Sequence, residues 1–447
     1  MRLSRRQLLL SILPTALAIN ACQQIPSILN GPSAHIALPQ RVTVVVPVPN
    51  KAGGDRLDSR MKEFQSQNPN LAVELRPITG MPNGPFNIEK WADLLAALAS
   101  SALLDIAVGW DIWAPELIDR GILRPLDPYL ADIGRPIERF FMVSSVQAFR
   151  RTGRVWMLPW QAQPIVLFYN RQLFDQAGLP PPDKRWTWND VEAVGSILTR
   201  GQDKAKVWGY DIATGADALI YQNGGRLVDD PIEPIKPTLD EPANIEAMTW
   251  LENAVKRLRI APGGTDLRQW DQRTAAFTSS QIAMRLDRMS SRSGTYIGSP
   301  KAWPFPWGVI PAPGRVTRAT SANFQSWGIL AGSTRVDESW ALIRHLCTTL
   351  PGEARIDGVP AFLALQDTSE FHRLLPEGTD AYLTALTETI PSPAIPAASQ
   401  IHNLLNNAMV KVITSVATPA EALKEAQAGA IKAWVKAKPT PVPAAPS

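Results

Sequence analysis

The chain has 447 residues, of which 45% are hydrophobic and 19% charged, with 45 Lys+Arg against 41 Asp+Glu. That length exceeds what one simple core holds, so two domains are expected, and the ordinary composition excludes a wholly disordered chain. The formal charge of +4 owes three of its units to Arg2, Arg5 and Arg6 near the N-terminus, and no arginine-rich patch elsewhere points to nucleic acid.

Residues 1–21 have the layout of a signal peptide. Those three arginines precede an apolar stretch, Leu8 to Ile19, too short to cross a bilayer comfortably. Ser4-Arg5-Arg6-Gln7-Leu8-Leu9 resembles a twin-arginine export signal, with Sec export as the alternative. Ile19-Asn20-Ala21-Cys22 resembles the lipobox of bacterial lipoproteins, which implies a lipid on Cys22; an unlipidated peptide cut near Ala21 is the other possibility. Residues 22–40, with Pro26, Pro32 and Pro39, read as a tether.

Strands and helices alternate from there. Arg41 to Val48 is a Val-rich strand, and the segment after Gly53-Gly54 has a helical face of Leu57, Met61 and Phe64. Leu71 to Ile78 alternates as a half-buried strand does. Glu89 to Ala99 is a helix, Asp105 to Val108 a short strand ending at Gly109-Trp110-Asp111, and a helix starts near Ala114. This order is the grammar of an open α/β sheet. Val155 to Pro159 is a short apolar run, Trp160-Gln161-Ala162-Gln163 a polar and aromatic loop, and Ile165 to Phe168 a strand buried on both faces. Thr187 and Asp190 form a capping box for a helix with Trp188, Val191, Val194 and Leu198. Trp208-Gly209-Tyr210 opens a loop-rich region, and Asn223-Gly224-Gly225 marks a tight turn. Asn244 to Ile260 is the clearest helix. Ile282 to Leu286 is a strand with Asp287 and Arg288 at its tip, Gly308 to Ile310 another, and a third begins near Phe324. Asp337 to Leu350 is a helix whose apolar pattern takes in Cys347 as a small core residue. Thr418-Pro419 with Glu421 starts the last helix, and the proline-rich residues 438–447 read as a disordered tail.

Chemistry is sparse. The four His are scattered, no Cys-x-x-Cys or His-x-His pair offers a metal site, and neither a phosphate-binding glycine loop nor a Gly-x-Ser-x-Gly elbow is present. No cofactor and no catalytic residue are therefore assigned. Tryptophan is abundant, with 15 residues. A sugar offers C–H faces that suit a flat ring and a rim of hydroxyls that needs Asp, Asn, Gln or Arg. Aromatic and polar residues side by side in loops after strands therefore mark candidate sugar contacts. Trp110 with Asp111 fits best; the competing role is Trp110 packing on its own domain with Asp111 capping the next helix. Trp160, Gln161 and Gln163 are either ligand contacts or a packing cluster, and Asp287 with Arg288 either ligand contacts or a surface ion pair. Trp327 with Phe324 is a second platform or core; Tyr221, Gly225 and Trp270 complete the set.

Several stretches resemble the extracellular solute-binding proteins of carbohydrate ABC importers, maltose-binding-like in type. They are Phe168-Tyr169-Asn170-Arg171, Leu173-Phe174, Ala177-Gly178-Leu179-Pro180, Trp186-Thr187-Trp188, Leu94 to Ser100, Asp119 to Leu126 and Tyr221 to Gly225. The resemblance covers about residues 41–434. It implies an α/β, two-lobed periplasmic-binding-protein fold of type II, each lobe an open mixed sheet flanked by helices. One lobe would combine 41–160 with 308–350 and the other 161–307 with 351–437, the ligand lying in the cleft between. It further implies a saccharide ligand, permease subunits driven by an ATPase as partners, a monomeric protein, no enzymatic step, and a periplasmic or cell-surface location with a lipid anchor. The same fold could instead hold a glycerol-phosphate derivative or a polyamine; a secreted glycan-processing enzyme is a further alternative, and would need two carboxylates at fixed separation.

Overall fold

The computed structural model describes residues 42–48, 51–78, 88–100, 103–131, 135–213, 215–230, 234–264, 266, 270–293, 303–350, 358–375 and 378–437. The signal peptide, Cys22, the tether and the proline-rich tail lie outside the described residues.

The Val-rich strand β1 (Val42–Val48) pairs in parallel with β2 (Leu71–Pro77), and the helix Lys51–Gln67 makes the crossover between them. Met61 and Phe64 are buried from that helix, as its spacing predicts. The helix Ile88–Ser100 leads to β3 (Ile106–Trp110), two residues longer at its end than the sequence pattern suggests. Asp105, just before β3, ties the first strands to it. Its backbone N–H donates to Val45 O at 3.1 Å, and its carboxylate accepts the Val45 N–H at 2.8 Å and the Ser333 hydroxyl at 2.8 Å.

A small hairpin, β4 (Arg150–Arg151) and β5 (Arg154–Val155), precedes the central strand β6, Leu158–Asn170. The sequence suggests a loop at residues 160–163; the chain is instead extended throughout. Both edges of β6 are occupied there, by β10 (Thr320–Ile329) and by the two-residue β11 (Val359–Pro360), and this pairing outweighs the loop-like composition. From Ile165 onward its partners are β8 (Ile282–Arg288) and β9 (Trp307–Pro311). Trp208-Gly209-Tyr210, expected to open a loop, forms β7 (Trp208–Ile212), parallel to β8. Its Gly209 is required by packing: a Cβ there would stand 2.1 Å from the carbonyl oxygen of Gly195 in the helix Trp188–Leu198.

These strands make one eight-stranded mixed sheet, with core order β12-β10-β6-β8-β7, where β12 is Thr389–Ile390; β3 joins on β10. β6 and β10 run through both halves, so the open mixed sheet expected in each lobe is continuous with that of the other. The hydrophobic core still divides. One cluster lies around the later part of β6, with the helices Pro242–Lys256, Ala398–Ile413 and Pro419–Lys436. Another lies around β1, the helix Lys51–Gln67 and the helix Val336–Thr348, where Cys347 is buried. A third takes in Trp91, Trp113 and Leu117 together with Phe168, Phe277 and Phe305. Both expected capping boxes are present, at Thr187 with Asp190 and at Thr418 with Glu421.

Candidate ligand site at the crossing strands

Strand register collects the site. Gln325 of β10 stands opposite Trp110 of β3 on one side and Gln161 of β6 on the other. Asn323 stands opposite Gln163, and Arg288 of β8 opposite Ile165. Side chains alternate along a strand, so residues two apart share a face with their cross-strand partners. Trp110, Gln325, Gln161, Asn323, Gln163 and Arg288 therefore lie on one face, four amides among them. Gln161 Nε2 donates to Gln325 Oε1, and Arg288 Nη1 donates to Asn323 Oδ1.

Asp111, the residue after β3, is only 2% exposed. Its backbone N–H donates to Phe324 O at 3.0 Å, Oδ1 accepts the Phe324 N–H at 3.2 Å, and Oδ2 accepts the Ser392 hydroxyl at 2.5 Å. It does not cap the next helix, whose N-cap is Trp113. Burial pushes its carboxyl pKa up, against the opposing pull of Ser392, Phe324, His402 and Arg288. Beside it lies a buried ion pair, Asp217 with His402, at 3.6 Å. Burial alone would raise the Asp217 carboxyl; the hydrogen bond and charge of His402, with Arg288, overcome it and hold the group at about 2. Burial alone would lower His402, but Asp217 raises it, and its Nδ1 lies 2.9 Å from the Ala398 carbonyl oxygen. An acceptor faces each ring nitrogen, an arrangement that favours the doubly protonated imidazole. Tyr221, from the helix Ala216–Gln222, is buried nearby, its phenol pKa pushed well up by burial and by the charges of Asp217 and Asp111.

The other candidates separate. Trp160 is the extra residue of a β-bulge, since Gln325 and Ser326 are adjacent but pair with Gln161 and Pro159. The bulge turns its ring toward Trp327, 6.0 Å away, with the Arg60 guanidinium 5.5 Å from its centroid. Trp327 is 1% exposed and Phe324 fully buried, so both are core rather than platforms. Alternation splits the Asp287 and Arg288 side chains: Asp287 sits opposite Val166 on the reverse face, its Oδ2 accepting from Arg285 Nε at 2.9 Å and its Oδ1 from the Arg288 backbone N–H at 2.8 Å, so its ion pair is with Arg285 and is buried. Gly225 packs on Asn244 rather than facing the row, for a Cβ there would meet Asn244 Oδ1 at 1.9 Å. The Trp270 side chain lies outside the described residues. Sequence reasoning missed Asn323, Gln325, Asp217, Ser392 and His402. The polar alternation Ala322-Asn323-Phe324-Gln325, matching Gln161-Ala162-Gln163, is the signal that could have revealed the first two. Among the described residues, no group of three or more His, Cys, Asp or Glu is placed to hold a metal ion.

Residues 49–349 match the family model described as bacterial extracellular solute-binding protein. The chain belongs to that family. A Brucella abortus protein described as a binding protein is 23% identical over 391 residues, 84% of this chain and 89% of its own. An ABC substrate-binding protein of Listeria monocytogenes, solved in complex with cycloalternan, superposes with a TM-score of 0.71 at 23% identity, covering 88% of this chain and 98% of that one. A Mycobacterium tuberculosis protein solved with glycerophosphocholine gives 0.70 at 17%, covering 88% and 98%. These likenesses establish the type II periplasmic-binding-protein fold. Members of the family are extracellular binding proteins, which places this one in the periplasm or at the cell surface.

Proposed function

We propose that the chain is the substrate-binding lipoprotein of an ABC importer, taking a mono- or oligosaccharide and handing it unchanged to membrane permease subunits served by an ATPase. The observation that carries this is the single face of Trp110, four amides and Arg288 at the crossing strands. An indole offers a flat apolar surface, and amides offer donors and acceptors side by side, which together suit a pyranose. The cycloalternan complex of the Listeria protein supports this ligand class.

The ligand lies between two lobes. One lobe combines residues 41–160 with 308–350 and the other 161–307 with 351–437; β6 passes from the first to the second, and the pairing of β9 with the later part of β6 favours a return later than residue 308, within β10. Cys22 carries the lipid anchor, export uses the twin-arginine or Sec route, and the protein acts as a monomer. A second reading rests on Arg288 and the glycerophosphocholine complex: a glycerol-phosphate diester in the same place.

The test is thermal unfolding and tryptophan fluorescence of the purified protein with mono- and oligosaccharides, then with glycerophosphodiesters. A saccharide should raise the midpoint and quench fluorescence without being consumed. Trp110→Ala should weaken that binding about fivefold, the loss of roughly 1 kcal/mol of ring contact. A midpoint moved only by the phosphodiester would replace the saccharide reading with the second one.

A further inference from the structure

Two side chains in the shared face are incompletely satisfied. Gln163 is 3% exposed, and its Oε1 has no hydrogen-bond partner. Asn323, directly opposite, is 6% exposed; its Oδ1 is taken by Arg288, and its Nδ2 has no partner. A buried acceptor and a buried donor thus stand open on neighbouring strands, in a protein where such groups are normally paired.

We propose that Gln163 and Asn323 together read one ligand hydroxyl, which donates its proton to Gln163 Oε1 and accepts from Asn323 Nδ2–H. The inference rests on the proposed ligand site and adds what that site selects. Whatever satisfies both amides at once must give one hydrogen bond and take another. A hydroxyl does this; an ionised phosphate oxygen or carboxylate has no proton to give, and an ammonium has no lone pair to offer. The surrounding charges agree. Asp217 is paired with His402, and Asp111 lies near Arg288 and His402, so two acids face two bases and an ionic group would meet no surplus counter-charge. The hydroxyl belongs to a saccharide or to a glycerol unit, and the test distinguishes them.

The experiment uses the full chain and Gln163→Met, which keeps side-chain length and removes the open acceptor. If the amide is held for a ligand, the empty variant melts about 1–2 °C higher than the parent, because an unmet polar group has gone. Its affinity for the saccharide or glycerophosphodiester found by screening falls at least about tenfold. If the amide is instead a brace of the fold, the empty variant melts lower, and the proposal fails. The second measurement uses analogues of that ligand, each lacking one hydroxyl. One position should lose at least about tenfold in the parent and much less in Gln163→Met, and fluorine at that position should not restore binding, since it cannot donate. Equal losses at every position would overturn this inference alone. Binding of no saccharide or glycerol compound would overturn it together with the proposed function.

Discussion

Asp217→Ala is expected to lower the unfolding free energy by about 3 kcal/mol in urea titration, since it strips a buried imidazolium of its carboxylate. Asp217 and His402 are both largely withdrawn from solvent and face Arg288, Asp111 and Tyr221. The pH dependence has two limbs. The Asp217 carboxyl is held at about 2, below its ordinary value, so its contribution is present above about pH 4 and fades as pH falls through 2. His402 is raised above its ordinary value, so its contribution is complete below about pH 6.5 and fades as pH rises through the folded-state pKa. The gap between parent and variant should therefore be widest between about pH 4 and 6.5. NMR titration of the His402 ring should show its pKa falling in the variant. An unchanged pKa would mean that the pair does not form.

Asp105→Ala should be about as damaging, roughly 3 kcal/mol, by a different route. The carboxylate joins β1 to the turn before the helix Val336–Thr348: it accepts the Val45 N–H at 2.8 Å, the Ser333 hydroxyl at 2.8 Å and Arg335 Nη1 at 3.2 Å. Removing it leaves a strand N–H of β1 unmet in the core. Because β3 carries Trp110 and leads into Asp111, ligand affinity should fall with stability. Asp105→Asn, which keeps one acceptor, should recover about half of the loss. Equal stability of Asp105→Ala and the parent in urea would remove this carboxylate from the account of the fold.

The legible parts of the sequence were those where local chemistry and tertiary role coincide. Thr187 with Asp190 and Thr418 with Glu421 announce helix starts by spacing alone, and both start helices. Ile165 to Phe168 reads as doubly covered and is flanked on both edges. The misread parts owe their structure to distant partners. Residues 160–163 look like a loop because two glutamines stand between Pro159 and Pro164, yet β10 and β11, more than 150 residues away, extend them. Trp327 carries the same composition signal as Trp110, but lies under the first-half core. Alternation within β8 would have separated Asp287 from Arg288 had the strand been read to its end. Asp217, Ser392 and His402 come from three remote segments, and only tertiary packing brings them to Asp111.

The site is built on β6 and β10, the very strands shared by both halves of the molecule. If the halves rotate about these strands, Gln163 and Asn323 sit near the pivot and travel least, and Asp111, bonded to Phe324 of β10, stays with them, whereas groups farther from β6 and β10 travel most. A solute would then dock in order: first onto a stationary amide pair present at every angle, afterwards against groups delivered by the swing. Association rate and dwell time would thereby be set by different residues, so the two could drift independently as the protein adapts to new nutrients.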